Sequence, residues 1–249
     1  MLNSPNGLLS SLPDVVFAEL HPSLKHEELR AGVVLAEAGS PVTRVYFPHS
    51  GIVSLVVQLL TGDAIETAMI GRDGAVNASA AVDDNVSLNK AIVQLDGSAS
   101  SVDVRALGVL MELFPLLHLM LARYGQVLFA EAQQSAACNA SHSVETRMCR
   151  WLLRMRDLAG DDLHVTQEFL SQMLGVRRTS VTHVAGELQK RNLIRYSRGH
   201  LRILDESGLQ QATCECYGNV KMNYSRLATA EKSEDHSAPT GAFRKRTIP

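Results

Sequence analysis

From Ala31 to about Val104 the chain is cut into short apolar runs: "GVVLAEAG", "RVYFPHSG", "IVSLVVQL", "LTGDAIETAMIGRDG" and "KAIVQLDGSASSVDV". Gly and Asp punctuate the runs every eight to twelve residues and β-branched residues are frequent, a pattern that predicts a small all-β sandwich or barrel. "LLTGDAIE" is the clearest hairpin, with Gly62-Asp63 at its tip. At Pro115 the period changes. Leu113, Leu117, Met120, Tyr124 and Val127 follow one another at spacings of 4, 3, 4 and 3, the seam period of helices that wrap around a partner. Such a helix runs to about Asn139, and its stretch from Leu116 to Cys138 is about 34 Å long at ~1.5 Å per residue. The seam lasts about two heptads before turning polar at Glu131, Gln133 and Gln134, so a helix packed against its own β domain is the alternative.

A second helical unit begins near His142. Ser143 can cap "SHSVETRMCRWLLRMRDLAG", Val144, Met148, Trp151, Leu152 and Met155 form its apolar stripe, and Gly160 ends it. In "HVTQEFLSQMLGV" Thr166 caps a short helix whose buried stripe is Phe169, Leu170, Met173 and Leu174, and Gly175 permits the tight turn that follows. The next helix, about 177–191, buries Val181, Ala185 and Leu188 and turns Arg178, Thr179, Thr182, His183 and Gly186 outward. "NLIRYSRGHLRIL" then reads as a β-hairpin with Ser197-Arg198-Gly199 at a basic tip. From about Gly218 to Pro249 the chain is polar and short of apolar residues, and an unstructured tail is expected, with "RKR" a solvated charge run.

Charge alters this picture more than composition does. The overall formal charge of -2 conceals 7 Lys/Arg against 14 Asp/Glu in residues 1–141 and 11 against 7 in residues 142–205. An acidic front half joined to a basic unit points to a polyanion as the partner of the second unit alone. The four cysteines, Cys138, Cys149, Cys214 and Cys216, form no pair of CxxC motifs, so neither a zinc finger nor a disulfide framework is indicated. The run from Ala106 to Ala122 contains Glu112, Pro115 and His118 and falls short of the ~20 apolar residues of a membrane span. With no legible targeting segment, no membrane partner and a cytoplasmic address are expected. No nucleophile elbow, P-loop, HExxH or Gly-rich dinucleotide loop is present, and catalysis is set aside. A protein-docking module that has kept the second unit as its surface is the competing non-enzymatic reading.

Two short helices joined by a glycine turn, the second with donors on its open face, make a helix-turn-helix. The major groove admits one helix, Arg bonds guanine bidentately, and Thr, Ser and His reach base edges or phosphates. Arg177, Arg178, Thr179, Ser180, Thr182 and His183 are the candidate DNA-reading residues, and Arg198 is the candidate phosphate contact at the hairpin tip. In this order the parts resemble the Crp/Fnr family of bacterial transcription regulators over Gly32 to about Tyr217, with "TQEFLSQMLGVRRTSVTHVAGELQKRNLI" the specific segment. The resemblance implies an α+β chain: an N-terminal antiparallel β-roll (jelly-roll-like) sensor domain over 1–109, a dimerisation helix over 110–140 and a C-terminal winged helix-turn-helix domain over 141–217. It further implies a homodimer on double-stranded DNA with a near-palindromic operator, half-sites ~34 to 36 Å apart, and RNA polymerase as a partner. By position, Arg178, Thr179 and His183 fall where family members read base edges, and Thr166 and Gln167 where they contact phosphate. Thr179 stands where relatives carry an acidic residue, which changes the expected operator and leaves the docking mode.

The front half departs further from the family. Where cyclic-nucleotide binders show a Gly-Glu pair and then Arg-Ser or Arg-Thr, this chain has "GRDGAVNASAAVDDNVSLNKAIVQ", with Gly74-Ala75 and Asn89-Lys90 or Ser87. Cyclic AMP in the usual mode is therefore not expected. Gly74, Asn77, Asn89, Lys90 and Tyr124 are the candidate pocket residues for an unidentified small-molecule effector, and the cofactor is unknown. The family's iron–sulfur sensors need cysteines near the N-terminus, and none precedes Cys138. Cys214-Glu-Cys216 as a redox pair or metal clip, and His118 or His49 as a haem ligand, are open alternatives to structural roles.

Overall fold

The computed structural model describes residues 4–82 and 85–234, with side chains to Leu227. Helices α1 (Gly7–Ser11) and α2 (Asp14–Leu20) open the chain. Asn6 starts α1: its buried Oδ1 accepts from the Leu8 and Leu9 N–H groups, and its Nδ2 donates to Pro48 and Gly74 carbonyls at 2.9 Å. Seven strands follow: β1 (Lys25–Leu29), β2 (Val34–Ala36), β3 (Arg44–Pro48), β4 (Ile52–Gln58), β5 (Ala64–Ile70), β6 (Lys90–Leu95) and β7 (Gly97–Asp103). They form two antiparallel sheets, β1-β7-β3 and β2-β6-β4-β5, packed around Leu29, Val53, Leu55, Ala68, Ile70 and Val93. The β4–β5 hairpin turns through Gly62 at φ 91°, as "LLTGDAIE" predicts.

Asp103 caps α3 (Val104–Leu113), accepting from the Arg105 and Ala106 amides, and Pro115 opens α4 (Pro115–Ser141) after a 118° bend at Phe114. No single described helix is long and apolar enough to cross a membrane. The winged unit contains α5 (Val144–Ala159), β8 (Asp162–His164), α6 (Gln167–Leu174), α7 (Arg178–Lys190), β9 (Ile194–Ser197), β10 (His200–Ile203) and α8 (Glu206–Ala212), and α9 (Glu215–Glu234) completes the described chain.

Two expectations are corrected. Leu117, Met120 and Tyr124, read as a seam for a partner helix, are buried against Phe47, Leu107 and the α1–α2 side chains of their own chain. The α3–α4 bend leaves Leu113 exposed on the preceding helix, so the seam is interrupted in space although continuous in sequence. The tail expected from 218 is helical as far as Glu234; the "RKR" run lies outside the described residues. Val220 and Leu227 are buried, and α9 lies along α4.

The β-roll and the winged unit share one core. Ile52, Val56 and Met69, from the outer face of the four-stranded sheet, join Trp151, Leu152, Met155, Leu170 and Leu174 in a single apolar cluster. For this reason β4 is buried at every position from Ile52 to Val56: one face fills the roll and the other meets the winged unit. Polar links cross the same boundary. The Trp151 indole N–H donates to Glu66 at 2.7 Å, and the Arg154 guanidinium pairs with Asp73 at 2.7 Å.

Candidate nucleic-acid interface

The α6–α7 pair is built by three local devices. Thr166 Oγ1 accepts from the Phe169 amide at 3.1 Å and so starts α6. Gly175 ends it at φ 60°, ψ 44°, the left-handed cap that glycine adopts without strain, and its amide closes on Gln172. α7 then packs through Val181, Val184, Ala185 and Leu188; Val184 belongs to the buried set beside the three residues that the spacing identifies. Its start at Arg177 has no side-chain cap; the Ser180 amide closes on the Arg177 carbonyl at 2.9 Å, which leaves the Arg178 and Thr179 amides facing an anionic partner.

The opposite face of α7 is open. Arg177, Arg178, Thr179, Thr182 and His183 are exposed and Ser180 is half-buried. A Cβ added at Gly186 would meet nothing within 4 Å, so the backbone there can approach another molecule closely. Arg178 keeps 65% of its side-chain surface accessible and lies 3.9 Å from Glu168, a contact too exposed to hold it. Thr182 Oγ1 bonds both the Gln167 side chain at 2.8 Å and the Arg178 carbonyl at 3.0 Å. The structure thus joins one residue expected at the bases, Thr182, to one expected at a phosphate, Gln167, at the mouth of the helix pair. Thr166, through its cap, stands at the same end.

The hairpin β9–β10 adds β8 as a third strand, in the order β8-β10-β9. Ser197 pairs with His200, so the loop is the two residues Arg198 and Gly199, at φ 50° and φ 78°. Two successive positive φ values are the turn that matches the twist of a tight hairpin. It carries Arg198 outward at the tip, flanked by exposed Arg195 and Arg202. Two side chains that the sequence reading passes over lock this wing to α7. Gln189 Oε1 accepts from the Tyr196 amide at 2.9 Å, and the Tyr196 hydroxyl donates to the Val165 carbonyl at 2.9 Å. Burial pushes the Tyr196 hydroxyl up to about 12, so it remains a donor throughout the physiological range. The available signal was a lone aromatic between basic residues on a strand.

The candidate effector residues are dispersed. Gly74 and Tyr124 are brought together so closely that a Cβ on Gly74 would lie 2.4 Å from the Tyr124 hydroxyl. Asn77 turns at φ 64° and donates to the Arg44 carbonyl at 3.3 Å, Lys90 pairs with Glu37 at 3.1 Å, and the Asn89 carbonyl accepts from Ser87. A charged cavity of about 370 Å³ lies elsewhere, between α4, α5 and α9, lined by Asp73, Glu131, Arg150, Arg154, Lys221 and Tyr224 among others.

Residues 146–212 match the Crp-like helix-turn-helix domain family. Among solved structures, the chain is similar to a regulator of the crp/fnr family from Eubacterium rectale (17% identity, TM-score 0.65, covering 82% of this chain and 96% of that one). It is also similar to a CRP/FNR-family regulator from Thermus thermophilus (23%, 0.62, 76% and 97%) and to FixK2 from Bradyrhizobium japonicum (13%, 0.62, 77% and 98%). No curated protein sequence matches the chain. Residues 146–212 are thus a Crp-like helix-turn-helix domain, and the chain as a whole has the fold of these proteins.

Proposed function

We propose that the chain acts as a homodimer that reads a near-palindromic operator, each α7 entering a major groove and each wing lying on the phosphate backbone. The observation that carries this reading is the open α7 face of Arg178, Thr179, Thr182 and His183 beside Gly186. Arg178, Thr179 and His183 read base edges, Arg177, Ser180 and Thr182 support them, and Thr166, Gln167 and Arg198 hold phosphates. Support for the dimer comes from α4. Its face turned away from the roll exposes Leu116, Leu119 and Phe129 together with the small Ala122, Ala136 and Ala137, an apolar stripe suited to a second copy of the helix.

The β-roll is the sensing part, and RNA polymerase is the partner through which binding becomes regulation, in the cytoplasm where the DNA is. Its effector is a small molecule other than cyclic AMP held in the usual way. Tyr124 stands against Gly74, and Lys90 is paired to Glu37, where a nucleotide's ribose and phosphate would need free groups.

Selection of bound sequences from random DNA, followed by anisotropy titrations at two salt concentrations, tests the reading. Arg178→Ala is expected to cost about 1 to 3 kcal/mol on the selected operator and to relax preference at one base pair, and Arg198→Ala to weaken all sequences alike. Equal losses on specific and random DNA for both variants would overturn it. Salt-independent binding would instead favour a protein-docking role.

A further inference from the structure

Cys214-Glu-Cys216 has no part in reading DNA, and the fold gives it company. Cys214 lies between α8 and α9, Cys216 in the first turn of α9, and both meet Cys138 and His142, one helical turn apart at the C-terminal end of α4. Cys138 Sγ is 3.6 Å from Cys214 Sγ, Cys216 Sγ is 3.6 Å from His142 Nδ1, and all four donor atoms lie within 4.8 Å of one another. A tetrahedral ion with metal–sulfur bonds of ~2.3 Å and a metal–nitrogen bond of ~2.0 Å needs donor–donor edges of about 3.8 and 3.5 Å. Closing the set around one ion therefore takes side-chain adjustments of about an ångström. We propose that Cys138, His142, Cys214 and Cys216 form a tetrahedral site for zinc, which pins α9 to the joint between α4 and the winged domain.

The surroundings suit an ion better than an apolar core. Cys149, the remaining thiol, packs among Leu, Met and Trp side chains, as a cysteine used for its bulk does. The three thiols of the cluster contact one another instead, and two of them are fully buried. Gln134 Nε2 donates to Cys216 Sγ at 3.0 Å, the bond that steadies a thiolate, and Glu215 lies 3.5 Å from His142 Nε2. The carboxylate fixes the ring with Nδ1 toward the sulfurs, the usual outer partner of a ligating histidine. Three thiolates and a divalent ion leave one negative charge, and the guanidiniums of Arg147 and Arg150 act on Cys138 electrostatically. A Cys3His donor set with no carboxylate ligand selects zinc over magnesium or calcium. Because α4 ends and α5 begins at His142–Ser143, an ion here bears on the covalent link between the sensor's long helix and the DNA-binding domain.

The test uses the full-length protein, reduced and freed of metal with a chelator, and titrated with cobalt as a spectroscopic stand-in and then with zinc. The expected result is one cobalt per chain, with thiolate charge-transfer absorption and the strong ligand-field bands of a tetrahedral site, all displaced by zinc. His142→Asn, a half-buried position, should keep the fold, shift those bands and weaken binding by more than the ~10 to 100-fold that loss of an outer-shell partner costs; Gln134→Ala should fall within that range. Cys138→Ser and Cys216→Ser should abolish the charge-transfer absorption, and Cys149→Ser should leave it intact. Zinc should raise the melting temperature of the wild type and not that of Cys216→Ser. The proposal is overturned if reduced wild-type protein shows no thiolate charge transfer, which decides the matter even where a cysteine variant fails to fold. Weak octahedral bands, an equal loss in Cys149→Ser, or assembly of an iron–sulfur cluster on the same cysteines would also overturn it.

Discussion

Arg198 occupies a backbone position that a glycine or asparagine fills more cheaply. At φ 50° its Cβ crowds the following carbonyl, a cost of about 1 to 2 kcal/mol that the hairpin bears. Arg198→Gly should therefore stabilise the folded protein by about 1 kcal/mol while reducing the salt slope of DNA binding by about 1, checked by urea denaturation and anisotropy on one preparation. Glu66 shows a similar tension in the core. It is buried, and burial pushes its carboxyl up to about 8, against the pull of its bonds from Ser54 and Trp151; Glu131 adds to the rise and Arg150 opposes it. When Glu66 is protonated, it donates to Ser54 Oγ, Ser54 donates to Gln94 Oε1, and Trp151 donates to the remaining Glu66 oxygen, so each group is satisfied once. The folded carboxyl thus retains a proton that the unfolded chain releases above about pH 4.5, its ordinary value. Stability from this group is complete below that pH and declines as pH rises through about 8. Glu66→Gln, which keeps the same bonds without the proton, should melt like the wild type at pH 5 and be more stable by at least ~1.4 kcal/mol at pH 9.

At the scale of elements, α4 serves two faces at once. Its inner face is spent on the β-roll, so Phe129, 61% exposed, is the most accessible large apolar side chain on its outer face. Phe129→Glu should cost the proposed dimer at least ~2 kcal/mol, read as a monomer shift in sedimentation, with little change in melting of the dilute protein. α9 depends on polar anchors as well as apolar ones. Tyr224 donates to the buried Glu131 at 2.7 Å while Arg154 lies 4.3 Å above its ring, so Tyr224→Phe should cost about 1 to 3 kcal/mol by leaving Glu131 short of a donor. The helix-turn-helix and the hairpins were legible because each carries its own punctuation: Thr166, Gly175, Gly62 and the Arg198-Gly199 pair act within a few residues. α9 was not, because its buried residues, Cys216, Tyr217, Val220 and Leu227, are spaced among polar ones, and the helix packs chiefly on α4, some eighty or more residues earlier. β1, "KHEEL", was missed for a related reason: an edge strand covered on one side only carries the charges that keep other chains from pairing with it. The direction of the α4 stripe was misjudged because spacing specifies that a face is buried and not what buries it.

The molecule as a whole is less divisible than its charge pattern suggests. Acidic and basic halves meet across Ile52, Val56, Met69, Trp151 and Met155, and the pairs Glu66–Trp151 and Asp73–Arg154 close the same boundary. Differential scanning calorimetry should accordingly show one unfolding transition whose calorimetric and van't Hoff enthalpies agree, where two independent domains would give two. The docking of the sheet on the winged unit also has a thermal consequence. Any rearrangement that lifts the DNA-binding domain from β4 and β5 wets apolar surface and so adds a positive increment to the heat capacity. Operator binding that requires such lifting would show a smaller negative heat-capacity change than its own interface demands, and an affinity that changes less steeply with temperature.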